Sequence, residues 1–317
     1  MNKEIPIFFT IDDSYAPFLA VALNSAIKNS SADRMYRAIV LHEEMSEESV
    51  TKLKALETRN FKIELMPMKA NFAALDDRMS NRLRCDYFTL TIYFRLFIPE
   101  MFPQYDKGIY IDSDVVLTSD IANLFDIEIG NNLIGACNDL SIAYIPPLVA
   151  YTENAVGVNK HEYINSGVLL MNLKAMRECD LESHFLDLLN TYHFDCIAPD
   201  QDYLNAMCNG KIHYLNESWD TMPNEARPPL AKTNLIHYNL FSKPWCYDGI
   251  QYGDEFWKYA EDSGFFDKIK AYKDAYSDEK KKSDSECLDL LIRRGIEIVE
   301  NDVTFKKLHE KGVKIRL

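Results

Sequence analysis

Gly108-Ile109-Tyr110-Ile111-Asp112-Ser113-Asp114-Val115-Val116-Leu117 is an apolar run broken only by a pair of acids around a serine. Its β-branched and aromatic residues read as a strand over 108–117, buried as the strands of a mostly parallel sheet are. Residues i and i+2 of a strand point to one face, about 6.6 Å apart along it. Asp112 and Asp114 could then converge on one cation, with a turn or a bridging water closing the gap. Two like charges beside a buried strand are costly unless something positive compensates. A hard divalent cation does so, and oxygen ligands select Mg²⁺ or Mn²⁺ over softer metals. The spacing alone says little, because Asp200-Gln201-Asp202 repeats it; the apolar surroundings distinguish the first pair.

Upstream, strand and helix patterns alternate. Strands are expected at Ile5–Ile11, 38–41 and 62–66. Ser14 is a candidate N-cap and Pro17 sits near the first turn of a helix whose Phe18, Leu19, Ala22, Leu23, Ala26 and Ile27 recur at helical spacing. Ser46 can cap a helix reaching about residue 58, and another helix is expected over 87–97. Downstream, 133–137, 167–173 and 235–238 look like strands, and Leu181–Tyr192 and 201–207 like helices. Such alternation predicts an α/β fold with a mostly parallel, doubly wound sheet and flanking helices. These sheets bind ligands at the carboxyl ends of their strands, where Asp12 and the Asp112–Asp114 pair would fall.

Bulk composition sets the outer limits. With 317 residues, 47% hydrophobic and 26% charged, the chain reads as one large soluble domain with an appendage. A net charge of −14 argues against nucleic acid as a partner, since phosphate binding needs a basic face. Seven scattered cysteines without a C-x-x-C favour reduced thiols and a cytoplasmic location. The apolar run Ile5-Pro6-Ile7-Phe8-Phe9 is too short for a signal peptide, and no stretch approaches the roughly 18 apolar residues of a membrane helix. From Lys268 onward, 13 basic residues meet 10 acidic ones, a net of +3 that leaves −17 before it. The division expected is a domain over 1–270 and a helical tail over 271–317, with a helix around 288–299. A basic helical tail could make peripheral contact with an anionic membrane surface; a capping helix packed on the domain is the alternative.

His237 stands on the apolar stretch Leu235-Ile236-His237-Tyr238, and Lys243-Pro244-Trp245 follows. A lone histidine there is commonly structural, but lysine is a point charge suited to a diphosphate oxygen. An imidazole joining two carboxylates favours Mn²⁺ over Mg²⁺. Asp12-Asp13 suits a ribose or base edge, or an N-cap pair for the next helix. No glycine-rich phosphate loop is present, which leaves metal plus lysine to hold a diphosphate.

The segments Phe9-Thr10-Ile11-Asp12-Asp13-Ser14-Tyr15, Tyr110-Ile111-Asp112-Ser113-Asp114, Asn165-Ser166-Gly167-Val168-Leu169-Leu170-Met171-Asn172-Leu173, Asp200-Gln201-Asp202 and His237 through Trp245 occur in this order. Together they resemble the family 8 glycosyltransferases, over roughly residues 4–262. The resemblance implies a GT-A type fold that moves glucose or galactose from a UDP-sugar with retention of anomeric configuration. It implies Asp112, Asp114 and His237 as Mn²⁺ ligands, and Thr10, Asp12 and Tyr15 as the uridine-binding stretch. It further implies Arg95 near the donor, Asp139, Asn165, Asp200 and Gln201 around the donor sugar and reaction centre, and Lys243 at the diphosphate. Two positions depart from the family: Leu240, where glycine is frequent three residues after the histidine, and Ser14, where asparagine is frequent.

The function expected is therefore hexosyl transfer to a saccharide or glycoconjugate acceptor, by same-face attack because Gln201, a neutral amide, is a poor nucleophile. A module that binds nucleotide-sugar without transfer, for which Leu240 speaks, and a sugar-nucleotide pyrophosphorylase are the competing readings. The latter normally carries a basic, glycine-rich N-terminal loop that this chain lacks.

Overall fold

A computed structural model of the protein describes residues 4–68 and 93–317. Its strands are β1 (Ile5–Ile11), β2 (Tyr36–His42), β3 (Phe61–Pro67), β4 (Gly108–Ile111), β5 (Val115–Leu117), β6 (Ile134–Asn138), β7 (Ile164–Met171), β8 (Ile212–Tyr214) and β9 (Leu235–His237). Seven of them form one sheet in the order β3-β2-β1-β4-β7-β6-β8, and β5 pairs with β9 apart from it. All pairings in the large sheet are parallel except those of β7, which runs against both β4 and β6. The mostly parallel expectation holds, with one reversed strand inside the sheet.

Side-chain alternation divides the core between the two faces of this sheet. Phe8, Tyr110 and Leu169 face one layer, while Ile7, Phe9, Ile109, Ile111, Val168 and Leu170 face the other. Both layers are covered by helices, which is why β7 is buried along its whole length and shows no polar alternation. Ala16–Lys28 backs the second layer with Pro17 in its first turn. Its entry is capped differently from the expectation: Asp12, not Ser14, accepts the backbone N–H groups of Ser14 and Tyr15 and closes a short turn. Ser46 does cap its helix, Glu47–Lys54, which ends before residue 58. The helix expected over 87–97 lies partly outside the described residues; its described part is Phe94–Met101.

The acid pair is where the local expectation fails. The run 108–117 is not one strand: it leaves the large sheet after Ile111 and enters the small one at Val115. Asp112 and Asp114 occupy the corner between two sheets, so a turn, not the pleat, brings them together.

The tail is packed on the domain. Its long helix Asp278–Glu300 and the following Phe305–Glu310 supply Leu291, Ile298, Phe305 and Leu308 to the first core layer. Phe305 stacks on Phe194 with centroids 3.9 Å apart, and the Leu317 N–H donates to the Met207 carbonyl at 2.9 Å. Those apolar residues are spent on the domain, and membrane contact through the tail draws no support from them. No described helix is long and apolar enough to cross a membrane.

Candidate active site

Where β4 ends beside β7, three short segments meet. Asp112 and Asp114 come from the corner, His237 from the end of β9, and Asn165-Ser166-Gly167 from β7. The pairing Val115↔His237 sets the histidine next to the acids. Ligand atoms of Asp112, Asp114 and His237 all lie within 4.8 Å of one another. His237 Nε2 is 3.3 Å from Asp114 Oδ1 and 3.9 Å from Asp112 Oδ2. Gly167 makes the approach possible: a Cβ there would collide with His237 Cε1 and come 2.8 Å from Asp112 Oδ2.

The donor set fits a hard divalent cation. Asp114 Oδ1 is buried and accepts no well-formed hydrogen bond. Even with His237 counted as a cation beside Arg95 and Lys243, the five carboxylates Asp112, Asp114, Asp139, Asp200 and Asp220 are in excess, and this negative excess is what a bound cation would offset. Burial opposes ionisation of Asp114, yet the Lys243 ammonium and His237 outweigh it and hold the carboxyl far below its usual range. Burial would likewise lower the His237 pKa, but Asp114 and Asp220 outweigh it and push it up to about 10.

Asp220 was not legible in the sequence. Its Oδ1 lies 2.9 Å from His237 Nδ1, so it holds the ring with Nε2 toward the acids. It follows a short turn, Glu217–Trp219, and nothing in its neighbourhood resembles a ligand motif.

Arg95 is a buried hub. It donates to the Ser166 carbonyl (2.6 Å) and Asp112 Oδ1 (3.1 Å), lies 3.1 Å from Asp200 Oδ2 and stacks over the Tyr110 ring. Burial would weaken its charge, but Asp112 and Asp200 keep its pKa raised. The Tyr110 hydroxyl donates to Asp112 Oδ1 at 2.7 Å and meets Thr10 Oγ1 at 2.9 Å, which ties the end of β1 to the acid pair. Ser166 Oγ donates to Asp200 Oδ2 (2.9 Å), while Gln201 accepts from the Ser166 N–H (3.1 Å) and donates to Asp139 Oδ2 (2.8 Å). Asn165 donates to the same Asp139 oxygen at 3.2 Å. Thus Thr10, Arg95, Asp139, Asn165, Asp200, Gln201 and Lys243 join one connected network with the acid pair and His237. Asp12 and Tyr15 sit at its margin, Asp12 engaged as a cap and the Tyr15 ring edge-on to Phe18 at 5.4 Å.

The second acid pair separates. Both residues lie in the helix Pro199–Met207, where i and i+2 are about 200° apart around the axis. Asp200 faces the network; Asp202 points away and accepts from the Tyr151 (2.8 Å) and Tyr163 (2.6 Å) hydroxyls and the Ala198 N–H (3.0 Å). Asp202→Ala would leave two buried tyrosines without their acceptor and is expected to cost about 3 kcal/mol. Urea unfolding checks this; a loss under about 1 kcal/mol would show the carboxylate to be dispensable.

Leu240 adopts φ 54°, the left-handed region that favours glycine. The backbone there takes the conformation a glycine would, at a cost of about 1 kcal/mol.

Residues 6–249 match the family described as glycosyl transferase family 8. A Haemophilus influenzae protein described as a glycosyltransferase is 28% identical over 236 residues, covering 74% of this chain and 68% of that one. The lipopolysaccharide 1,2-glucosyltransferase of Escherichia coli is 25% identical over 187 residues, covering 52% of this chain and 53% of that one. Among solved structures, the galactosyltransferase LgtC in complex with donor and acceptor sugar analogues superposes with a TM-score of 0.64 at 25% identity, covering 88% of this chain and 100% of that one. The chain therefore belongs to glycosyl transferase family 8 and is a glycosyltransferase of the GT-A fold.

Proposed function

We propose that the protein transfers a hexose, glucose or galactose, from a UDP-sugar to a saccharide or glycoconjugate acceptor, with retention and with Mn²⁺ as cofactor, Mg²⁺ being the alternative. The observation that carries this reading is the convergence of Asp112, Asp114 and His237 within 4.8 Å, beside the Asp139–Gln201–Asp200 network. Relatives named for glucosyl and galactosyl transfer support the hexose.

A divalent cation held by Asp112, Asp114 and His237 would neutralise charge on the departing diphosphate. Lys243, which pairs with Asp114, is assigned to a diphosphate oxygen. Thr10, Asp12 and Tyr15 at the end of β1 are assigned to the uridine. As the anomeric bond breaks, Asp139 would stabilise positive charge on the sugar, oriented by its bonds from Gln201 and Asn165. Gln201 has both ends of its amide engaged and is neutral. Asp200 shares one oxygen with Arg95 and Ser166, which lowers its nucleophilicity. Same-face attack follows: the acceptor oxygen bonds to the anomeric carbon as the bond to the diphosphate oxygen breaks, and that oxygen takes the acceptor's proton.

A panel of UDP-sugars with Mn²⁺, read as UDP release, is the test. UDP-glucose or UDP-galactose is expected to turn over; silence across the panel would count against the reading, and a trapped glycosyl adduct on Asp200 or Asp139 against same-face attack. The free thiols of Cys137, Cys196 and Cys208 favour action in a reducing, cytoplasmic compartment.

A further inference from the structure

Lys243 stands in the loop that follows β9, and residues beyond the family match grip that loop from outside. Lys273, in the helix Phe266–Asp274, donates to the Pro244 carbonyl at 2.9 Å and the Tyr247 carbonyl at 3.0 Å, and pairs with Asp248 at 2.8 Å. Asp284, in the long tail helix, accepts from the Tyr247 hydroxyl at 2.5 Å and from that of Tyr276 at 2.7 Å. Backbone bonds from Cys246 and Tyr247 to the Lys243 carbonyl, at 2.9 and 3.0 Å, transmit this grip to Lys243 itself. The family match ends at residue 249, so both gripping side chains come from chain that the family does not describe.

We propose that Lys273 and Asp284 are positioning residues, a latch that fixes the 243–247 turn so that Lys243 meets the donor diphosphate. The proposal rests on the assignment of Lys243 to the diphosphate made above. Its physical basis is the supply of donors to a turn. Proline at 244 has no N–H of its own, and the carbonyls of Pro244 and Tyr247 depend on one ammonium for their bonds. Without it the turn can rotate, and the lysine at its start moves off Asp114. A merely structural Lys273, stitching a helix to the domain, would affect unfolding and leave nucleotide affinity alone.

The test uses the full-length protein, with UDP and Mn²⁺ in calorimetry, turnover by UDP release, and thermal unfolding. Lys273→Met is expected to weaken UDP binding about tenfold, the scale of losing charge-assisted bonds, with turnover at saturating donor changed less than about twofold. Lys273→Arg, which keeps the charge and the donors, is expected to recover most of the affinity. Asp284→Ala, at a half-buried helical position that tolerates alanine, is expected to weaken UDP about threefold and serves if Lys273→Met does not fold. Folded variants that bind UDP as the parent does would overturn the latch. Lys243→Met separates the two ideas. If it weakens UDP while the Lys273 and Asp284 variants do not, the latch alone is wrong. If it too leaves UDP binding unchanged, the assignment of Lys243 fails and takes the latch with it.

Discussion

Asp114→Ala is expected to keep its fold and lose transfer by at least about 10²-fold, the scale of removing one main charge stabiliser. The effect should be large because one carboxylate serves two partners. Its Oδ1 is the buried oxygen without a well-formed hydrogen bond, and its Oδ2 pairs with Lys243. Alanine would remove a ligand from the proposed metal site and leave a lysine without its counter-ion at the same stroke. Stability should suffer less, since the acid sits at a corner between sheets and its one backbone bond to the small sheet, from the Tyr238 N–H to the Asp114 carbonyl at 2.9 Å, survives the substitution. Circular dichroism, Mn²⁺ titration and UDP release together check this. Near-normal, Mn²⁺-dependent turnover would show the metal assignment to be wrong.

Gly167→Ala should be as damaging to activity, through shape and not charge. The added methyl would meet His237 Cε1, Asp112 Oδ2 at 2.8 Å and Asn165 Oδ1 at 2.9 Å. Two of those residues are proposed metal ligands, and Asn165 orients Asp139. The neighbours cannot all retreat: His237 is held by Asp220, and Asp112 by Tyr110 and Arg95. Expected are a loss of transfer of about 10²-fold or more and a weakened Mn²⁺ affinity of about 10- to 100-fold. A Gly167→Ala protein with parental Mn²⁺ affinity would mean that the site has slack the distances deny.

Both predictions depend on features of different legibility. Local physics was enough for the strands β1 to β3, because buried parallel strands are written as short apolar runs between helical patterns. It was enough for the helix Leu181–Tyr192 and for the cap at Ser46. It failed at β8, whose Ile212-His213-Tyr214 is too short to carry a period. It failed also at the start of the first helix, where two adjacent acids and a serine offered three possible caps and the backbone chose Asp12.

The site residues follow the same division. The order of short motifs along the chain pointed to Asp112, Asp114 and His237 and to the network around Gln201, because each motif preserves residue types that its chemistry needs. How the two acids meet was decided elsewhere. A pleated strand and a corner between two sheets both bring i and i+2 near each other, and only the pairing of β5 with β9 selects the corner. The same spacing on a helix sends Asp200 and Asp202 apart, one to the network and one to a pair of tyrosines. Asp220 and the Lys273–Asp284 grip lie 17 residues and more from what they hold, and no local pattern marks them. What the sequence by itself determined was the class of fold, the family and the identity of the acids and histidine. What tertiary structure alone decided was which carboxylates converge and what holds them there, because convergence depends on distances between segments, which chain order does not encode.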